Sequence, residues 1–272
     1  MDKIKIENYD EYCNIKEKPF IIPQIKSPFR MIMSSKSAGG KTNLLCNLLL
    51  QPLLYYERLI IFSTTLHQPK YQFLIEFFDS LYKDELKKHD TLIKGKKTIK
   101  NMIKQKITEG DVEKYLFNKE KAEPVERIAT FYEDMEKLPS FEEIGDKYHT
   151  LVVVDDCVLE KNQTKMTQFF VKGRHKKISI IYQTQKFTAL PKIMREQASH
   201  YIFLGKQDDI LLRSIAMSVP LGLGYTSLKN LFHNYIRNNF DNILFDVECP
   251  DSNKTIFRNL DEAIPMDDVR IT

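Results

Sequence analysis

Residues 35–42 have the types and spacing of a phosphate-binding loop. They read Ser-Lys-Ser-Ala-Gly-Gly-Lys-Thr and lie between an apolar run at 31–33 and a helix-forming run at 43–50. A strand, a small-residue loop ending in Gly-Lys-Thr and a helix are the layout of such a loop, whose backbone N–H groups and helix N-terminus attract an anion. We therefore predict nucleotide contacts at Ser35, Lys36, Ser37, Ala38, Gly39, Gly40, Lys41, Thr42 and Asn43.

Within this loop, Lys41 would neutralise charge on the β- and γ-phosphates of ATP, and the Thr42 hydroxyl would ligate Mg²⁺. One position departs from the pattern G-x-x-x-x-G-K-[ST], because Ser35 stands where the first glycine is expected. A small hydroxyl residue still allows a tight loop. An ordinary strand, turn and helix without a ligand remains the alternative, so support must come from other residues.

A second cluster, Asp155-Asp156, follows the run Leu-Val-Val-Val at 151–154. Adjacent carboxylates repel each other, and a bound Mg²⁺ would explain why a buried strand ends on two acids. In an NTPase with a phosphate-binding loop, one acid here holds the metal and the next can orient or deprotonate the attacking water. We assign Asp155 to Mg²⁺ and Asp156 to the water. The alternative is a helix N-cap followed by a first-turn acid.

A third cluster, Gln183-Thr184-Gln185, follows the apolar run at 178–182. In a parallel sheet this strand end would lie beside the γ-phosphate, where a glutamine can sense the phosphate or position water. Gln185 is the first candidate for this role and Gln183 the second. The alternative is that both amides simply face solvent.

The elements that must position these clusters follow from the apolar pattern. Continuous apolar runs predict strands that are buried on both faces of a parallel sheet. The runs lie at 31–33, 59–62, 151–154, 178–182 and 201–204, with a lead-in segment or edge strand near 20–23. Helices are expected at 43–50, 70–90, 162–175, 206–218 and 226–238, and a C-terminal hairpin at 243–257.

Bulk composition restricts the class of protein. The chain has 272 residues, is 42% hydrophobic and 29% charged, and carries a formal charge of +4. Its four cysteines form no C-x-x-C pair, which points away from zinc and disulfide frameworks and toward a reducing compartment. No apolar run reaches the roughly 18 residues of a membrane span, and the polar start is unlike a signal peptide. We expect an intracellular soluble protein without a membrane partner.

We find no internal repeat or dividing linker and expect a single domain over 1–272, with a core at about 28–206 and a C-terminal extension at 207–272. Residues 83–123 are rich in lysine and polar. They could be a solvated helical insertion, or an insertion whose lysines attract the phosphates of a nucleic acid.

The order of these clusters resembles the additional-strand class of P-loop ATPases, and within it the FtsK–HerA superfamily, especially the poxvirus-type genome-packaging ATPases of large DNA viruses. The most specific stretches are Gly-Arg-His-Lys-Lys-Ile-Ser-Ile-Ile-Tyr-Gln-Thr-Gln-Lys-Phe at 173–187 and Leu-Pro-Lys-Ile-Met-Arg at 190–195. In that family an Arg-His pair precedes the sensor strand, and Leu-Pro with a basic residue follows it. The resemblance covers about residues 28–206.

The resemblance implies a RecA-like three-layer α/β/α sandwich with a mostly parallel central sheet. It also implies a homo-oligomeric ring around double-stranded DNA, with ATP and Mg²⁺ between subunits and an arginine finger from the neighbour. Arg174 is the first candidate for that finger and Arg195 the second. A capsid or portal partner is implied too, and a location in the host cytoplasm or viral factory, or in the virion.

Two other functions remain open on the sequence. A nucleotide kinase shares the phosphate-binding loop, although the paired acids and the glutamines favour hydrolysis over transfer to a substrate. A nucleotide-dependent, DNA-binding scaffold with little turnover would keep the same loop, and the complete set of Lys41, Thr42, Asp155, Asp156 and Gln185 argues against it.

Overall fold

The computed structural model describes residues 22, 25–51, 53–103, 126–157 and 163–269, with only the backbone described for 88–103 and for Gln163. The chain divides into two compact units, one comprising Met1–Gln72 with Thr130–Thr272 and the other Phe73–Ala129. The second unit encloses the lysine-rich segment, of which residues 104–123 lie outside the described part of the chain. None of the described helices has the length and apolar character that a membrane crossing requires.

In the described part of the chain, nine strands form one sheet in the order β3-β2-β4-β5-β1-β6-β7-β8-β9. Neighbours from β2 to β6 pair in parallel, and β6 to β9 pair antiparallel. The mostly parallel sheet and the C-terminal hairpin are therefore confirmed. The strands are β1 (Arg30–Ser34), β2 (Arg58–Ser63), β3 (Ala129–Tyr132), β4 (Thr150–Asp155), β5 (Ile178–Thr184), β6 (His200–Leu204), β7 (Asn242–Asp246), β8 (Ile256–Arg258) and β9 (Glu262–Ala263).

The strand β5 lies between β1 and β4 and pairs in parallel with both. Its register pairs Gln183 with both Met33 and Asp155, and Thr184 with Ser34. The carboxyl ends of these three parallel strands therefore meet at one edge of the sheet, and the polar residues that follow them are brought together there.

The helices follow the predicted order with shifted boundaries. They are α1 (Lys41–Leu50), α2 (Pro69–Ile103), α3 (Phe141–Ile144), α4 (Gln163–Lys172), α5 (Lys192–Gln197), α6 (Asp209–Ser218), α7 (Tyr225–Tyr235) and α8 (Met266–Val269). Short 3₁₀ turns lie at Gly173–Lys176, Phe187–Ala189 and Ser252–Lys254. The lead-in segment expected near 20–23 is described only at Ile22, which is buried. The short helices α3, α5 and α8 and the strands β3 and β9 were not expected.

Alternate residues of each central strand point to opposite faces of the sheet, and both faces are covered. On one face the ring of Tyr182 lies 6.5 Å from that of Phe170 in α4. On the other, the amide of Gln183 donates to the carbonyl of Lys41 in α1. The strands β1, β4, β5 and β6 are buried along their whole length. This three-layer arrangement explains their unbroken apolar runs.

The second unit contains most of α2. In it, Arg127 pairs with Asp79 at 2.8 Å and covers the ring of Tyr82, with its guanidinium 4.9 Å from the ring centre. Lys87, which lies in the lysine-rich segment, is exposed and pairs with Asp84 on the same helix.

The aromatic cluster around Phe203 should contribute strongly to stability. Its ring is fully buried and contacts the rings of Phe187, Phe232 and Phe245. Replacing Phe203 with Ala should lower the free energy of unfolding by about 3–5 kcal/mol, because the cluster cannot close the cavity. The urea midpoint measures this loss. The control is Met217→Ala, whose side chain is 83% exposed, and equal midpoints for the two variants would contradict the assignment.

Candidate active site

The phosphate-binding loop is shaped by two glycines. Gly40 precedes α1 with φ of +88°, in the left-handed region that glycine adopts without strain. A Cβ at Gly39 would lie 2.5 Å from the Ser35 hydroxyl and 2.9 Å from the Lys36 carbonyl, so only glycine fits there. Ser35 keeps an ordinary φ, and its hydroxyl donates to the Lys36 carbonyl at 2.9 Å. The loop therefore does not need a glycine at Ser35.

Lys41 is held at this loop by oxygen acceptors. Its ammonium donates to the Ser35 carbonyl at 3.1 Å, and it lies 3.4 Å from the Ser35 hydroxyl and from the Lys36 carbonyl. Burial lowers the pKa of Lys41, while the charges of Asp155 and Asp156 act against that shift. The two acids predicted from sequence are thus electrostatic neighbours of the predicted phosphate-binding lysine.

Asp155 ends β4 in a buried position, and the hydroxyl of Tyr71 in α2 donates to its Oδ2 at 2.6 Å. Burial raises the pKa of Asp155, as does the charge of Asp156, while the bond from Tyr71 and the charge of Lys41 lower it in part. Sequence analysis missed Tyr71, which has the spacing of a core residue. Its one signal is general: a buried tyrosine hydroxyl needs a partner.

Asp156 and Gln185 form an exposed pair beside Asp155. The Gln185 amide donates to Asp156 Oδ2 at 2.5 Å, and the backbone N–H of Gln185 lies 3.4 Å from Oδ1. Asp156 has φ of +49°, a left-handed conformation that turns the chain sharply at the strand end. The structure therefore brings together the acid and the amide that the sequence analysis assigned to the attacking water and the γ-phosphate.

The position expected for Gln183 differs from the observed one. Its side chain is fully buried, and its amide donates to the Lys41 carbonyl at 3.1 Å and contacts Met33 Sδ. It joins β5 to the start of α1 and does not face the cleft. The physical reason is the alternation of side chains along β5, which turns Gln183 to the face covered by α1.

The site contains a cleft of about 1210 Å³, which is ample for a nucleotide. The loop from Ser37 to Asn43, both acids and Gln185 form one part of it. A part that sequence analysis did not predict comes from the segment before β7 and from the residue after β8. Its members are Asn238, Asn239, Phe240, Asp241 and Asn259. No pattern in the sequence signals their approach, because it depends on the antiparallel packing of β7 beside β6.

Neither candidate finger reaches this cleft. Arg174 lies in the turn before β5, at the opposite edge of the sheet from the loop that follows β1, and it forms an ion pair with Glu248. Arg195 covers the ring of Phe187, with its guanidinium 5.5 Å from the ring centre, and donates to the Ser218 hydroxyl at 2.6 Å. Within one subunit, both arginines have structural partners.

One family model matches part of this chain. Residues 114–223 match the family model described as Poxvirus A32 protein, a range that includes both acids, both glutamines and both candidate fingers but excludes the phosphate-binding loop. No curated protein matches the chain.

Among solved structures, the chain is similar to the genome packaging NTPase B204 from Sulfolobus turreted icosahedral virus 2. The AMP complex of that protein is 13% identical, with 86% of this chain and 98% of that chain covered and a TM-score of 0.50. Its ATP-gammaS complex is 12% identical with the same coverage and a TM-score of 0.49. The pCW3 conjugation coupling protein TcpA is 10% identical, with 89% of this chain and 62% of that chain covered and a TM-score of 0.43.

At these identities the likeness to B204 shows the fold alone, an α/β fold with a mostly parallel central sheet. The match of residues 114–223 to the poxvirus A32 family model confirms the resemblance proposed from the sequence.

Replacing Asp155 with Asn should stabilise the metal-free protein at neutral pH. The pKa of Asp155 is raised above its ordinary 3.8 in the folded state. At a pH between the ordinary and the raised pKa, the folded state therefore binds more protons than the unfolded state. The stability of the wild type falls as the pH rises through this range. Asn lacks that dependence and still accepts from Tyr71. The stability that Asp155→Asn gains over the wild type is therefore complete above the raised pKa of Asp155 and absent below its ordinary pKa.

Urea midpoints measured in EDTA from about pH 3 to about pH 8 test this pH dependence. Asp267→Asn, which alters an exposed carboxyl, is the control and should show no comparable gain. An Asp155→Asn protein that is less stable than the wild type at neutral pH would show that the ionised carboxylate stabilises the fold.

Proposed function

We propose that this chain is an ATP-hydrolysing motor that moves double-stranded DNA into a viral capsid. One observation carries the proposal: Lys41, Asp155, Asp156 and Gln185 meet at one cleft at the carboxyl edge of the sheet. A buried acid beside a lysine-bearing phosphate loop, and an exposed acid held by an amide, suit phosphoanhydride hydrolysis. The match to the poxvirus A32 family model and the fold shared with a viral genome packaging NTPase support this function.

The cleft's donor set fits Mg²⁺. In the described residues no group of three or more His, Cys, Asp or Glu side chains could hold a metal alone, which agrees with a cation that binds through one or two protein oxygens and the nucleotide's phosphates. The Thr42 hydroxyl and the Asp155 carboxylate would hold it. When bound, Mg²⁺ neutralises charge on the β- and γ-phosphates.

The chain's own groups would divide the remaining work. Lys41 would leave the Ser35 carbonyl and neutralise phosphate oxygens. Asp156 would take a proton from water as the water oxygen bonds to the γ-phosphorus. The bond between the γ-phosphorus and the oxygen that bridges the β- and γ-phosphates would break in the same step. The Gln185 amide, which lies against Asp156, would orient that water. The products would be ADP and phosphate.

Arg174 would complete the site of a neighbouring subunit in a ring. It lies at the opposite sheet edge from its own phosphate loop, about 20 Å away along the seven residues of β5, and therefore can serve only another subunit's nucleotide. Arg195 is less suited, because its guanidinium is engaged with Phe187 and Ser218. Packaging of this kind would act with a capsid or portal partner where capsids assemble, in the host cytoplasm or viral factory.

ATP hydrolysis should depend on duplex DNA and on two residues. The variants Lys41→Ala and Asp156→Asn should each lower the DNA-stimulated rate of phosphate release by about 100-fold or more, since they remove phosphate neutralisation and the proton acceptor. Lys254→Ala, which changes an exposed lysine in the hairpin turn, is the control. Equal hydrolysis with and without duplex DNA would contradict a translocase, and full activity of a strict monomer would favour a kinase.

A mixture of two inactive proteins should recover activity if Arg174 acts on a neighbour. Arg174→Ala keeps its phosphate loop and Lys41→Ala keeps its arginine, so about a quarter of the interfaces in a randomly mixed ring would be complete. The measurement is DNA-stimulated phosphate release after the two proteins are mixed. Arg195→Ala mixed with Lys41→Ala should show greater recovery if Arg195 is the finger instead. Failure of both mixtures to recover would contradict a finger supplied by either residue.

A further inference from the structure

The exposed aromatic ring of Phe240 has no role in the chemistry described above. It lies between α7 and β7 and is 67% exposed, although most phenylalanine rings in this protein are buried. One edge of the ring meets the phosphate-binding loop, since a Cβ added to Gly40 would lie 2.8 Å from Phe240 Cδ1. Phe240 is also one of the residues that line the cleft. An exposed aromatic ring beside a phosphate site is a surface on which a second, planar part of a ligand can lie.

The backbone at Phe240 is anchored by the hydrogen bonds of the next residue, Asp241. The Asp241 carboxylate accepts from the backbone N–H groups of Arg237 and Asn238 at 2.8 and 2.9 Å, and from the Arg258 guanidinium at 3.2 Å. Its carbonyl accepts from the backbone N–H of Gly205, directly after β6, at 2.8 Å. Burial acts to raise the pKa of Asp241, but these hydrogen bonds outweigh it and the pKa lies below its ordinary value. The backbone that carries the ring is thus anchored, which lowers the entropic cost of binding.

We propose that Phe240 is the stacking platform for the base of the nucleotide, an inference that rests on the proposed function. The Lys41 end of the cleft carries the positive charge that suits phosphates, and Phe240 offers an uncharged aromatic surface next to it. Asn238 and Asn239 line the same part of the cleft. A carboxamide matches the donor and acceptor pair on the N6/N7 edge of adenine, so the base that this site favours is adenine.

The sequence of this segment fits such a role. Asn-Asn-Phe-Asp at 238–241 places two amides before the ring and the anchoring carboxylate after it. Asn259, which also lines the cleft, is not free to read a base: its amide nitrogen donates to Asp241 at 3.3 Å, and its oxygen accepts from the backbone N–H of Asn242 at 3.1 Å. It supports the anchor, while Asn238 and Asn239 remain beside the ring.

The test separates the base from the phosphates. Calorimetry gives the dissociation constants of ADP and of inorganic tripolyphosphate, which has no base, for the wild type, Phe240→Ala and Phe240→Tyr. Phe240→Ala should weaken ADP binding by about tenfold to a hundredfold, the usual loss of one base–aromatic stack, and leave tripolyphosphate binding unchanged. Phe240→Tyr should bind ADP like the wild type. Met217→Ala removes another exposed apolar side chain, which lies outside the cleft, and is the control.

The other outcomes are also decisive. An equal loss for ADP and tripolyphosphate in Phe240→Ala would mean that the ring supports the Gly40 loop and does not stack a base, and no loss for either would also overturn the proposal. Binding of neither ligand by the wild type would remove the proposed function and the platform together. ADP binding that depends on Phe240, in a protein whose hydrolysis ignores DNA, would keep the platform and overturn the motor.

Discussion

The parallel register of β4, β5 and β1 is the constraint on which the site depends. Backbone hydrogen bonds between these strands align Asp155, Gln183 and Met33 in one row across the sheet. Everything that follows this row, including the phosphate loop, Asp156 and Gln185, must emerge at the same edge. A slip of one residue in β5 would exchange the buried Gln183 with a neighbour that points to the opposite face. The apolar covering on both faces makes such a slip costly, and the geometry of the site is a consequence of the core.

Much of this arrangement could be predicted from the sequence because its signals are local. The apolar runs, the Gly-Gly-Lys-Thr segment and the paired acids each fix a strand end, and parallel topology then places those ends together. The contacts of Tyr71 and Phe240 could not be predicted in this way. Tyr71 has the spacing of a core residue, and Phe240 approaches Gly40 only through the antiparallel packing of β7 on β6. The sequence also could not show which of the two glutamines faces the cleft, because Gln183 and Gln185 have the same side chain. The observed register shows that Gln183 is the buried one.

The buried pair of Lys41 and Asp155 shows a conflict between stability and function. Burial lowers the pKa of the lysine and raises that of the acid, so desolvation opposes the charge on both. Their mutual attraction and the hydroxyl of Tyr71 offset only part of this cost. A bound polyphosphate and a cation would give each charge a strong partner. Burial thus acts against the charged forms of two residues that would gain partners from ligand binding, which is a typical pattern at functional sites.

The pairing of Arg174 bears on how it could act on a neighbour. Its partner Glu248 also accepts from Arg30 at 2.9 Å, and the charge of Arg174 lowers the pKa of Arg30, after the larger effect of burial. Two guanidinium groups thus share one carboxylate and repel each other. If Arg174 moved to a phosphate of the next subunit, Glu248 would keep Arg30 as its partner, and the repulsion would end. No buried charge would be left unpaired, so the movement would avoid the large penalty that usually follows the breaking of a buried ion pair. The shared carboxylate therefore makes Arg174 easier to release than an arginine with a partner of its own.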